Sequence, residues 1–179
     1  MSATVQDLES RAHSGPHALD EFLRSNRFPL VDGRTVTFVY IGAADSVHLR
    51  HWLHGLPNSL QFQRIGHTPV WRLTIDIPAR SRVEYKLEVH RGGHRQLITD
   101  PLNENYARDP YGANSVVRGA GYEDPEWARH DPEARLGEIQ EMEIDAKSFG
   151  DKRNLLVYLP ARYRPTRRYP LLIAHDGPD

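Results

Sequence analysis

The chain contains no cysteine. Disulfides, thiolate metal sites and a cysteine nucleophile are therefore excluded, and the composition fits a reducing, cytoplasmic setting. Charge of one sign is also lacking: 23 Lys and Arg stand against 24 Asp and Glu, for a formal net charge of −1. That balance argues against nucleic acid or a membrane surface as the main partner. Long apolar runs are missing; none approaches the ~18 residues of a membrane-spanning helix. The opening stretch, MSATVQDLESRAHSG, has neither a basic segment nor an apolar one, so no signal peptide is read there. What is present, 39% hydrophobic residues in a chain of 179, suits one domain or one and a half.

Residues 4–27 read as a short pair of helices. Val5, Leu8 and Ala12 form one apolar stripe; Gly15-Pro16 interrupts it, and Ala18, Leu19, Phe22 and Leu23 resume it. The expectation is a helical segment over 1–31 that covers a sheet edge. Residues 35–118 then alternate with period two, as in Val36/Phe38/Tyr40, Val47/Leu49, Trp71/Leu73/Ile75 and Val83/Tyr85/Leu87/Val89. Runs of this kind, separated by turns such as Pro57-Asn58 and Gly92-Gly93, predict an all-β sandwich, taken as a domain over 32–119. Residues 100–119 are rich in Pro, Gly, Asn and Asp and read as an irregular ordered loop leading into a last strand at Ser115–Val117. A charged linker with Pro125 and Pro132 occupies 120–137. Strands are expected from Ile139, at Leu155–Leu159 and at Leu171–Ala174.

The segment NLLVYLPARYRPTRRYPLLIAHDGPD resembles the start of the α/β-hydrolase domain of the enterochelin esterase family and its relatives. Upstream, VTFVYIGAADSVHLRHW, VWRLTIDIP, VEYKLEVH and TDPLNENYARDPYGANSV resemble that family's N-terminal immunoglobulin-like domain. The resemblance covers roughly residues 32–179 and implies a fold of two parts. An immunoglobulin-like sandwich of the E-set type would precede the first strands of a hydrolase sheet, over 138–179 and incomplete. It implies hydrolysis of an ester by a Ser-His-Asp triad. The sequence stops before the nucleophile would be met, so no catalytic residue is assigned and the 179-residue chain alone is expected to be inactive. The rest of the hydrolase domain would then be a partner. The implied substrate is a small-molecule ester such as a ferric catecholate siderophore, and neither cofactor nor metal is called for.

Several residues are candidates for a site. His175-Asp176-Gly177-Pro178 stands where the resemblance places an oxyanion-hole loop, making the backbone of Asp176 and Gly177 the candidate donors. Trp52, Tyr106 and Tyr111 fall outside the alternating runs and are candidate platforms for sugar or catechol rings, whereas Trp71 and Tyr85 read as core. Arg167 and Arg168, in the basic connection after Pro160, could meet an anionic ligand; a solvated loop is the commoner explanation. Ala146-Lys147-Ser148-Phe149-Gly150 mimics a nucleophile elbow, but a strand follows it rather than a helix, so a hairpin turn is expected. His48, His51 and His54 have the spacing of a helix within a strand-like stretch, where His48 and His54 would face away from His51; no metal site is assigned to them. The alternative to an esterase is a glycan-binding module without chemistry, similar to the glycogen-binding domains of starch enzymes. A third reading is a structural domain that docks on a hydrolase.

Overall fold

The computed structural model describes residues 3–109, 112–129 and 131–174. The chain divides into two compact units, Met1–Glu123 and Asp124–Asp179. The first opens with two helices, α1 (Ala3–Ser14) and α2 (Pro16–Ser25). Val5, Leu8 and Ala12 on α1, and Leu19 and Phe22 on α2, are buried, which follows the apolar stripe of the sequence. Gly15 separates the helices at φ 109, a conformation costly for any residue with a side chain. Pro16 follows in the first turn of α2, where a missing N–H leaves no bond unmade.

Ten strands follow: β1 (Leu30–Asp32), β2 (Thr35–Ile41), β3 (Ser46–His51), β4 (Ser59–Gln61), β5 (Gln63–Arg64), β6 (Val70–Asp76), β7 (Arg82–Arg91), β8 (His94–Ile98), β9 (Tyr106–Asp109) and β10 (Gly112–Arg118). They form two antiparallel sheets, ordered β1-β2-β6-β5 and β4-β3-β7-β10-β9, with β8 also paired to β7. Period-two alternation sends Val36 and Phe38 from one sheet, and Val47, Leu49, Tyr85, Leu87 and Val89 from the other, into a shared core. Phe38 and Tyr85 meet edge-to-face across it, ring centres 4.8 Å apart. This first unit is an all-β sandwich, as the alternation predicts.

Three details depart from the sequence reading. The helices cover a sheet face rather than an edge. Val39 and Val70, on the outward sides of β2 and β6, join Leu8, Leu19 and Phe22 in a second core. β2 is consequently buried on both faces over Val36–Val39, which is why Val39 breaks the polar half of its alternation. Arg72 of β6 reinforces the join through Glu9 of α1 at 2.7 Å. Second, the stretch expected as loop before Ser115 holds the strand β9, paired along β10 from Tyr106↔Ser115 to Asp109↔Gly112.

The third departure lies in the second unit. Its strands β11 (Glu138–Ala146) and β12 (Asp151–Leu159) form an antiparallel hairpin closed by a turn over 147–150. Phe149 and Gly150 both donate to the Ala146 carbonyl, and Gly150 has φ 73, so the elbow-like segment is a hairpin turn, as its context predicts. Leu171–Ala174, expected as a strand, has no regular structure. A strand is held by a neighbour's backbone groups, and among the described residues β11 pairs only with β12. Ile139, Met142, Leu156, Tyr158 and Leu171–Ile173 are exposed. Among the described residues no helix is long and apolar enough to cross a membrane.

Two outcomes follow from this packing. Leu8→Ala removes a side chain that is 0% exposed and should cost about 2–5 kcal/mol, like other core leucines. Urea unfolding followed by tryptophan fluorescence checks this, with a lower midpoint expected; an unchanged midpoint would show that α1 is not part of the cooperative core. Hydrogen exchange should show the Leu171–Ala174 amides unprotected while those of Val83–Val89 in the ladder of β7 exchange orders of magnitude more slowly.

Candidate functional site

The segment TDPLNENYARD is organised by a buried polar knot. Asp100, 0% exposed, accepts a hydrogen bond from the Tyr85 hydroxyl at 2.7 Å and another from the Leu102 N–H at 2.9 Å. Its own N–H donates to Ser115 Oγ at 2.8 Å. Asn103 Nδ2 donates to Tyr85 Oη at 3.0 Å and to the Val116 carbonyl at 2.9 Å, while its Oδ1 accepts from the Asn105 N–H. Asp and Asn suit this task because their short side chains bond to backbone N–H groups two residues on. Burial pushes the Asp100 carboxyl above the usual carboxylate range. Burial, and then the neighbouring Asp100, push the Tyr85 phenol far above its ordinary value. Both shifts favour neutral groups. The knot is buried and tied to the backbone at Leu102, Asn105 and Val116, so its role is to hold the backbone that leads into β9.

That backbone delivers Tyr106 to an inner-face row that runs across four strands, Tyr106–Ser115–Tyr85–His51. Tyr106 is half exposed at one end of the row. At the other, Trp52 follows His51 and is 78% exposed in the connection after β3. Three strand spacings separate the two ends, about 14 Å at ~4.8 Å each, so Trp52 and Tyr106 are not gathered into one pocket. His51 itself is buried. Its Nδ1 accepts from the Leu53 N–H at 2.9 Å, which places the proton on Nε2, and that atom has no hydrogen-bond partner among the described residues. Burial holds this imidazole below its ordinary pKa. Trp71 and Tyr85 are core residues, as read.

The remaining candidates fall elsewhere. Tyr111, Asp176 and Gly177 lie outside the described residues. Arg167 and Arg168 are exposed in the second unit; the Arg167 guanidinium sits 5.7 Å over the Tyr169 ring. The histidine run is split by the structure. His48 is on β3, His51 points into the sandwich, and His54 lies in an exposed turn. His48 instead meets Glu88 and His90, which the sequence reading did not single out. The period of two between residues 88 and 90 was a readable signal, but their register against residue 48 was not.

No family model matches the chain. A stretch of 43 residues is 42% identical to the uncharacterized protein YjcH of Bacillus subtilis, covering 24% of this chain and 18% of that protein. Among solved structures, the ferric enterobactin esterase of Salmonella typhimurium matches with a TM-score of 0.54 at 19% identity, over 75% of this chain and 43% of that one. The enterochelin esterase of Shigella flexneri gives 0.52 at 18% identity, over 75% and 44%. The enterobactin esterase of Shigella flexneri, crystallised with 2,3-dihydroxy-N-benzoyl-serine, gives 0.51 at 19% identity. The chain therefore spans less than half the length of these esterases, and at such identities the likeness is one of fold.

The Asp100 pKa gives a pH-dependent outcome. A carboxyl whose folded pKa is raised contributes stability that is complete below its unfolded pKa, near ~3.9, and is lost as pH rises through the folded value. Asp100→Asn replaces one of two acceptor oxygens with an NH2 group, so the Tyr85 hydroxyl and the Leu102 N–H compete for the one that remains, and it should destabilise most at low pH. Its deficit relative to wild type should shrink as pH rises from about 4 towards neutrality. Denaturant midpoints of both proteins across that range check this; a deficit that widens with pH would mean that Asp100 is held ionised.

Proposed function

We propose that this chain forms the N-terminal portion of a serine esterase of the enterobactin esterase kind, and that the complete protein hydrolyses the ester bonds of a siderophore trilactone or a related catecholate ester. The observation that supports this most is a coincidence of two independent features. The described fold is similar to part of those esterases, over 75% of this chain and 43% of theirs, and the same chain continues into a segment, LLIAHDGPD, whose sequence resembles the start of their hydrolase domain. In this reading the first unit is the immunoglobulin-like domain, and 138–179 supplies the opening strands of the hydrolase sheet. Trp52 and Tyr106, at opposite ends of their row, are separate candidate substrate contacts of the first unit, and Arg167 and Arg168 are candidates of the second; Tyr111 stays a candidate contact, and the Asp176 and Gly177 backbone a candidate oxyanion-hole donor, on the sequence alone. Ser148, at the tip of a two-stranded turn, lacks the strand-to-helix setting of a nucleophile. A cytoplasmic location belongs to the same proposal and rests on the absence of cysteine.

Ester turnover separates the possibilities. The protein expressed from its native gene should cleave a catecholate trilactone, whereas residues 1–179 should not turn over p-nitrophenyl acetate above buffer. Turnover by 1–179 that disappears in Ser148→Ala would overturn the assignment of the chemistry to residues outside this chain. A native-gene product that binds maltoheptaose saturably and cleaves no ester would replace the esterase reading with a glycan-binding one.

A further inference from the structure

The pairing of β3 with β7 collects three metal-ligating side chains on the outer face of the second sheet. His48 stands directly opposite Glu88, and His90 lies two residues further along β7 on the same face. One ligand atom from each lies within 4.8 Å of the others. Glu88 is 7% exposed and both histidines are half-buried. His90 Nε2 sits 2.8 Å from Glu88 Oε1, and the two imidazole rings are 5.3 Å apart.

Part of this arrangement is an ion-pair network. Arg50 and Arg95 approach Glu88 Oε2 at 3.8 and 3.9 Å, and His90 completes the set. That network accounts for Glu88 and leaves His48 unexplained. Among the described residues, the ring nitrogens of His48 make no hydrogen bond, yet they face the same carboxylate. Burial holds His48 below the ordinary histidine pKa, which favours the neutral imidazole that ligates metals.

We propose that His48, Glu88 and His90 bind a divalent transition-metal ion of the zinc class through two imidazole nitrogens and one carboxylate oxygen. Nitrogen-rich sets of this kind suit zinc, cobalt or nickel, while calcium and magnesium favour all-oxygen sets. Three protein ligands leave a fourth tetrahedral position for water. Metal–ligand bonds of about 2.0–2.2 Å require ligand atoms roughly 3.4 Å apart, so the three must close in through side-chain rotation. The neighbouring strands already fix their Cα positions, and no register change is needed. Arg50 and Arg95 lie beside the other carboxylate oxygen with side chains 37% and 69% exposed, free to turn towards water. Their positive charge opposes the ion and sets the expected affinity in the micromolar range rather than the nanomolar. The site lies on the outer face of the sandwich and does not depend on the esterase reading.

The test is a titration of tag-free, chelator-stripped 1–179 with Zn²⁺ by calorimetry and with Co²⁺ by visible absorption. The expected result is one equivalent bound, a tetrahedral Co²⁺ spectrum, and a rise in melting temperature with Zn²⁺. His48→Gln and His90→Gln should each weaken binding more than about tenfold, a loss at least as large as that from removing a supporting partner of a metal ligand. His54→Gln and His94→Gln should leave it unchanged. If either glutamine variant fails to melt cooperatively, Glu88→Gln, which keeps the side-chain shape, carries the same expectation. Absence of binding at millimolar Zn²⁺, binding that survives in the double variant His48→Gln/His90→Gln, or equal losses in all four histidine variants would each overturn the proposal.

Discussion

The hydroxyl of Tyr85 is the constraint on which the first unit depends. A phenol at the centre of a sandwich must find a partner, because an unpaired buried hydroxyl costs about 1–3 kcal/mol. Tyr85 packs its ring against Phe38 of the opposite sheet, so the hydroxyl cannot be withdrawn without separating the two layers. It donates to Asp100 and accepts from Asn103, and those two residues fix the turn that leads into β9. One side chain thus joins sheet packing to the path of the chain.

Much of the architecture was legible because it depends on local periodicity. The stripe Val5–Leu8–Ala12, the break at Gly15-Pro16 and the alternation of Val83–Val89 each fix an element within a few residues. What could not be read depends on register or on neighbours. Val39 falls on the outward half of the β2 alternation, and that it receives the helix pair there depends on neighbours distant in sequence. Leu171–Ala174 has the composition of a buried strand but pairs with no strand among the described residues, and composition alone does not make a ladder. β9 was hidden in a run of Pro, Gly, Asn and Asp that favours turns by propensity, yet it pairs along β10.

The candidate sites show the same division. Tyr85 and Trp71 were identified as core from alternation alone. The run His48-x-x-His51-x-x-His54 drew attention through its spacing, but strand geometry sends the first two histidines to opposite faces. The companions of His48 come from a strand forty residues later, fixed by the pairing His48↔Glu88. Only a three-dimensional register could supply them. Likewise Ser115 and Tyr85 are paired by a non-local ladder, and Asp100 joins them through hydrogen bonds to both.

The hairpin of the second unit has a kinetic consequence. Its ladder joins Ala146 to Asp151 and ends with Glu138 opposite Leu159, so every contact is local along the chain. Such a ribbon closes in about 1–10 μs. The sandwich cannot match that pace, since β2 must find β6 across three intervening strands and β7 must find β10 across two. The hairpin is therefore quick to form, but it carries its apolar side chains outward and gains little from lasting. An isolated two-stranded ribbon is marginal in water. Its fast closure gives a preformed edge, and its persistence is limited by the exposure of Ile139, Leu156 and Tyr158.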